Sequence, residues 1–129
     1  MAQIRYIVKD VDASIAFYES CLGFRLVQKF GPAMAILQLE DLALWVAGPL
    51  SSAAKPLPGG EQPSPGGWSR IVVSVSDLSG QVSRLKEKGV HFRSEIVSGP
   101  GGRQILCDDP SGNPIELFEA APMPRSNDG

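Results

Sequence analysis

The chain states one plan twice. Residues Ile4 to Phe24 read as an apolar strand, the step Val8-Lys9-Asp10-Val11, an amphipathic helix, then Leu22-Gly23-Phe24. Residues Ile71 to Phe92 repeat that order with Val75-Ser76-Asp77-Leu78, a helix, then Gly89-Val90. A period of about sixty-six residues, with further short strands closing each copy, predicts two βαβββ modules, an α+β architecture, and paired modules of this kind make a cleft. At 129 residues with 43% hydrophobic and 20% charged, the chain suits one domain with a core and is too short for two independent ones.

Alternation and capping place the elements. Ile4, Tyr6 and Val8 alternate with Gln3, Arg5 and Ile7, so the two sets take opposite faces of a strand. The first helix is predicted from about Asp12 to Leu22, capped by Asp10 or Asp12, with Ile15, Tyr18 and Leu22 on its apolar stripe and Gly23 ending it. In the second, Asp77 caps, Leu78, Val82 and Leu85 form the stripe, and Gly89 terminates. Strands at about Arg25 to Phe30, Ala33 to Leu39 and Leu42 to Val46 complete module one (3–47); Phe92 to Val97, Arg103 to Cys107 and Pro114 to Glu119 complete module two (68–120). Between them, 48–67 carries five prolines and five glycines and reads as a structureless linker, part of which can cover the cleft. The tail 121–129 is expected to be mobile.

Charge and apolar run lengths narrow the partners. A net charge of −2 and a pI near 5.3, with no Lys/Arg run, give no footprint for nucleic acid. No apolar stretch approaches the ~20 residues that span a bilayer, so no membrane partner and a cytoplasmic location are expected. Cys21 and Cys107 have no metal-ligand spacing and read as reduced thiols.

The segment Val8-Lys9-Asp10-Val11-Asp12-Ala13-Ser14-Ile15-Ala16-Phe17-Tyr18, then Leu22-Gly23-Phe24, and the late Asp109-Pro110-Ser111-Gly112-Asn113-Pro114-Ile115-Glu116-Leu117 resemble the vicinal oxygen chelate superfamily, the glyoxalase, bleomycin-resistance and extradiol-dioxygenase group. The resemblance covers about residues 3 to 119. It implies paired βαβββ modules forming a curved mixed sheet, and a homodimer with two equivalent clefts built from both chains. It also implies metal-ligand positions, which fall here on Gln3, Leu44, Arg70 and Glu116. Glutamine is permissive, leucine cannot ligate, and arginine has only donors and a fixed charge that repels a dication. Glu116 alone matches a strong ligand, whereas a catalytic metal needs about three.

No metal and no cofactor are therefore expected. Gln3, Arg5, Arg70, Ser74, Glu116 and Phe118 should face the cleft, with Trp45 and Trp68 placed to stack on a planar ligand. Arg70 and Glu116 are expected to form an ion pair, since a buried carboxylate needs a partner. His91, the single histidine, has no evident nucleophile or carboxylate partner. The leading reading is metal-independent binding or sequestration of a small organic ligand, aromatic and anionic, in a dimer cleft. The alternative is a lyase, isomerase or dioxygenase of the same superfamily, working through an unusual metal site or through Glu116 as general base. An interaction module whose cleft is filled by its own side chains is the third.

Overall fold

The first helix begins where a carboxylate meets unpaired backbone donors. Asp10 sits in extended backbone at φ −144° and ψ 113°, and its side chain accepts the Ala13 N–H at 3.0 Å. Gly23, at φ +76°, ends the helix in the left-handed region that a Cβ disfavours, and the Phe24 N–H returns to the Tyr18 carbonyl at 3.0 Å. In this computed structural model, which describes residues 2–122, the chain divides into two compact units. The expectation of a mobile tail at 121–129 falls almost wholly outside the described residues.

Unit one holds residues 1–69 and 108–114. Its elements are β1 (Ile4–Ile7), α1 (Val11–Leu22), β2 (Arg25–Phe30), β3 (Met34–Leu39) and β4 (Leu42–Ala47). They form a four-stranded sheet in the order β1-β4-β3-β2, parallel between β1 and β4 and antiparallel elsewhere. α1 buries Val11, Ile15, Tyr18 and Leu22, and the strands bury Ala35, Leu37, Leu44 and Val46 completely. Each Val, Leu or Ile side chain so withdrawn from water contributes about 1.5–3 kcal/mol. Where β4 ends, Gly48 lies so close to α1 that a Cβ would meet Val11 Cγ2 at 2.7 Å.

The Asp-Pro-Ser-Gly-Asn-Pro turn is more than a turn. Asp109, 4% exposed, accepts four hydrogen bonds: the Ser111 and Asn113 N–H groups on Oδ1 at 2.8 and 2.9 Å, and the Tyr18 hydroxyl and Asn113 Nδ2 on Oδ2 at 2.8 and 3.0 Å. Asn113 Nδ2 also donates to the Ile7 carbonyl at 2.8 Å, and the Lys9 N–H donates to Ser111 Oγ at 2.7 Å. A buried carboxylate is tolerable because donors saturate it, and here they tie the loop to α1 and β1.

The segment 48–67 is not structureless. Ser52–Ala54 makes a 3-10 turn, Ser51 and Ala54 are buried, Gln62 Nε2 donates to the Ala54 carbonyl at 2.6 Å, and the Leu57 N–H donates to the Glu61 carbonyl at 2.8 Å. Local hydrogen bonds satisfy much of this backbone, which proline spacing alone does not reveal.

Unit two holds residues 70–107 and 115 onward. It contains β5 (Ile71–Ser74), α2 (Leu78–Glu87), β6 (Val97–Gly99), β7 (Gly102–Asp108) and β8 (Pro114–Ala120), with sheet order β5-β8-β7-β6 and β5 parallel to β8. Asp77 accepts the Gly80 N–H at 3.1 Å at the start of α2, and Glu119 from β8 accepts the Leu78 N–H at 2.9 Å. α2 buries Leu78, Val82 and Leu85; the strands bury Ile71, Val73, Ile105, Cys107, Ile115 and Leu117. The two sheets are mixed and four-stranded, as the repeat implies.

The strand expected at Phe92 to Val97 is largely absent. Phe92 makes an isolated bridge to Cys107 and pairing resumes only at Val97 opposite Gln104, so five steps on one side oppose three on the other. Two surplus residues must leave the ladder, as in a special bulge. The sequence carries no proline or glycine there to announce it.

Candidate functional site

Strand register decides which side chains share a face, because partners in a ladder point the same way. In unit one Arg5 pairs with Trp45, and Trp45 pairs with Ile36 on its other side, giving a row of Arg5, Trp45 and Ile36 across the sheet. This row lies on the face opposite Leu44 and Val46, which point toward the core with α1. Arg5 Cζ stands 4.9 Å from the centre of the Trp45 ring. Gln3, Ile4, Arg5 and Trp45 line a groove of about 310 Å3.

The expectation that Leu44 stands at the module-one carboxylate position is corrected by register. Ile4 pairs with Leu44 as Ile71 pairs with Ile115, and Arg5 pairs with Trp45 as Val72 pairs with Glu116. Leu44 is fully buried and matches Ile115; the counterpart of Glu116 is Trp45. Matching the modules from their strand-end aspartates fixes β1 against β5, but the unequal segments that follow let β4 slip by one residue against β8. One residue of slip exchanges the faces.

In unit two Arg70 and Glu116 do form an ion pair. Arg70 Nη2 and Nε approach the same carboxylate oxygen, Glu116 Oε1, at 2.9 and 3.2 Å. The Glu116 side chain is 10% exposed and that of Arg70 28%. Ser74 and Phe118 are register partners on the same face as Glu116 and Val72. Phe118 and Gln104 border a groove of about 260 Å3 under the Val97–Gly102 hairpin, and Gln104 was not foreseen. Trp68, 69% exposed, precedes β5 and is not part of either groove. His91 lines a separate groove of about 520 Å3 with Lys86, Phe92 and Arg93.

Sequence reasoning missed Ile36 as the neighbour of Trp45. The signal was present, since Met34, Ile36 and Gln38 alternate with the core residues Ala35 and Leu37. It also missed Glu119. This carboxyl is held below the usual range, first by the Leu78 N–H and then by the Arg103 guanidinium, whose Nη2 lies 3.0 Å from Oε2. Glu119 faces the helix side of its strand and serves as a second cap of α2.

The donor chemistry does not fit a catalytic divalent ion. Unit one offers an amide at Gln3 and an indole at Trp45; unit two offers a guanidinium at Arg70 and a carboxylate already bonded to it. Among the described residues no group of three or more His, Cys, Asp or Glu side chains could hold a metal. Among them, too, no helix is long and apolar enough to cross a membrane.

Comparison with known proteins bears on the fold and the family. A probable chloroplastic lactoylglutathione lyase of Arabidopsis thaliana is 26% identical over 97% of the chain, which spans only 37% of that protein's length. A lactoylglutathione lyase of Pseudomonas putida is 27% identical over 90% of the chain and 82% of the relative. The crystal structure of a glyoxalase-related enzyme from Fulvimarina pelagi superposes with a TM-score of 0.76 at 20% identity, over 100% of this chain and 94% of that one, which shows the shared fold. The profile of the Glyoxalase/Bleomycin resistance protein/Dioxygenase superfamily matches residues 1–117. On that match, and on the two βαβββ modules beneath it, the chain belongs to this superfamily.

Proposed function

We propose that the chain binds or sequesters a small organic ligand without a metal ion, on the sheet faces turned away from the helices. The observation that carries this reading is the fate of the two carboxylate positions. Trp45 stands where a ligand would be needed in module one, and Glu116 of module two is occupied by Arg70. An indole with an arginine beside it offers apolar area and a positive charge, which suits an organic anion better than a cation.

A second copy of the chain is the proposed protein partner. Phe30 is 42% exposed and Val72 53%, and a homodimer would withdraw such apolar surface from water. The alternative, a lyase like the named relatives, draws on Glu116 as general base and on those relatives' names. The ion pair weighs against it, because a base must release its partner before it can take a proton. A thermal-shift screen of organic acids against neutral analogues, with chelator throughout, tests the proposal. Stabilisation by acids supports it; a response only after zinc, nickel or manganese is added contradicts it.

A further inference from the structure

Resting on the proposed metal-independent binding, we infer that Arg5, Trp45 and Gln3 form a subsite for planar organic anions, aryl carboxylates or phenolates, and that Arg5 supplies the selectivity for charge. The two modules differ in how their arginines are compensated. In unit two the guanidinium of Arg70 is bonded to Glu116. In unit one no carboxylate of the described residues pairs with Arg5, whose partner is the Trp45 ring 4.9 Å away. A ring face steadies a cation without consuming a conventional acceptor, so the donor hydrogens of the guanidinium remain for an anion. Arginine offers these donors in a planar fork that matches a carboxylate.

The surroundings define the rest of the ligand. Trp45 stands between Arg5 and Ile36 in the ladder, so the face grades from charged to apolar across one strand spacing on each side. That gradient fits a ring with its charge at one edge: the ring against Trp45 on its Ile36 side, the anionic group toward Arg5. Gln3, on the same groove, adds an amide that can donate to or accept from a second polar substituent. The groove, about 310 Å3, is at the small end of ligand sites, which favours a single ring.

The test is calorimetric titration of chelator-treated protein with benzoate, 4-nitrophenolate, benzamide and cyclohexanecarboxylate. A parallel Trp68→Phe variant leaves Trp45 as the single indole, so that fluorescence locates the ligand. Benzoate or 4-nitrophenolate should bind saturably and quench Trp45, and whichever is tighter names the anionic group. Benzamide and cyclohexanecarboxylate should bind at least about tenfold more weakly than the preferred anion. Arg5→Gln should remove that preference, Arg5→Lys should keep part of it, and both should melt like the parent because Arg5 is exposed. The inference is overturned if no probe binds, if benzamide matches benzoate, or if Arg5→Gln changes nothing while metal-free binding persists. Binding that appears only when metal is restored would instead overturn the metal-independent reading.

Discussion

The Tyr18 hydroxyl donates to Asp109 Oδ2 at 2.8 Å, joining residues 91 positions apart, with Tyr18 wholly buried and Asp109 nearly so. The bond fastens the Asp-Pro-Ser-Gly-Asn-Pro loop to the helix of the first module, and it explains why a carboxylate can reside in that core. Tyr18→Phe should lower stability by about 1–3 kcal/mol, the usual cost of taking one partner from a buried charged acceptor. Asp109→Ala should cost more, since it strands the Ser111 and Asn113 N–H groups as well. Urea unfolding checks both: the midpoint should fall with an unchanged slope. Equal stability of Tyr18→Phe and parent would mean that the loop is held without this bond, through Asn113 and Ser111.

Glu116→Gln and Arg70→Met should each destabilise, and the double variant should recover part of the loss. Removing one partner of a fully desolvated pair costs about 3–5 kcal/mol. Arg70 retains 28% side-chain exposure, so water can solvate it in part and the expected figure is about 1–2 kcal/mol. A double-mutant cycle reads the coupling; strict additivity would show that the pair contributes nothing.

The acid limb of stability should depend on Glu119. Its folded-state pKa lies below the ordinary value of 4.5, lowered by the Leu78 N–H and by Arg103, so the unfolded state binds the proton more readily. The stabilisation is therefore fully present above that value and is lost as pH falls through the folded-state pKa. Glu119→Gln should flatten the loss of stability below about pH 4.5. An unchanged acid limb in melting curves of the variant would exclude this carboxylate as a source of acid sensitivity.

Light scattering at micromolar concentration should give twice the chain mass of 13.8 kDa. A monomer mass at every concentration would contradict the proposed homodimer and leave Phe30 and Val72 exposed in solution.

Local chemistry was readable from the sequence and long-range register was not. Asp10, Asp77 and Gly23 act on neighbours within one helical turn, so their capping roles were visible from spacing. The Arg70–Glu116 pair was also legible, because strand alternation put both on one face and a carboxylate with little exposure demands a cation. Leu44 was confused with Trp45 because that choice depends on how β4 slides against β1, which no local pattern specifies. The same holds for Tyr18 and Asp109, and for Phe92 to Val97, where the surplus of two residues exists only relative to the partner strand. Glu119 was hidden for a further reason: its partners Leu78 and Arg103 lie on other elements.

The central proposal is metal-independent binding, which rests on Trp45 standing at the carboxylate position of the first unit and on Arg70 pairing with Glu116 in the second. Elemental analysis after dialysis against zinc, nickel, manganese and ferrous iron tests it most directly. The account predicts metal well below one equivalent per chain, unaltered in Glu116→Ala. One bound equivalent that disappears in Glu116→Ala would contradict it.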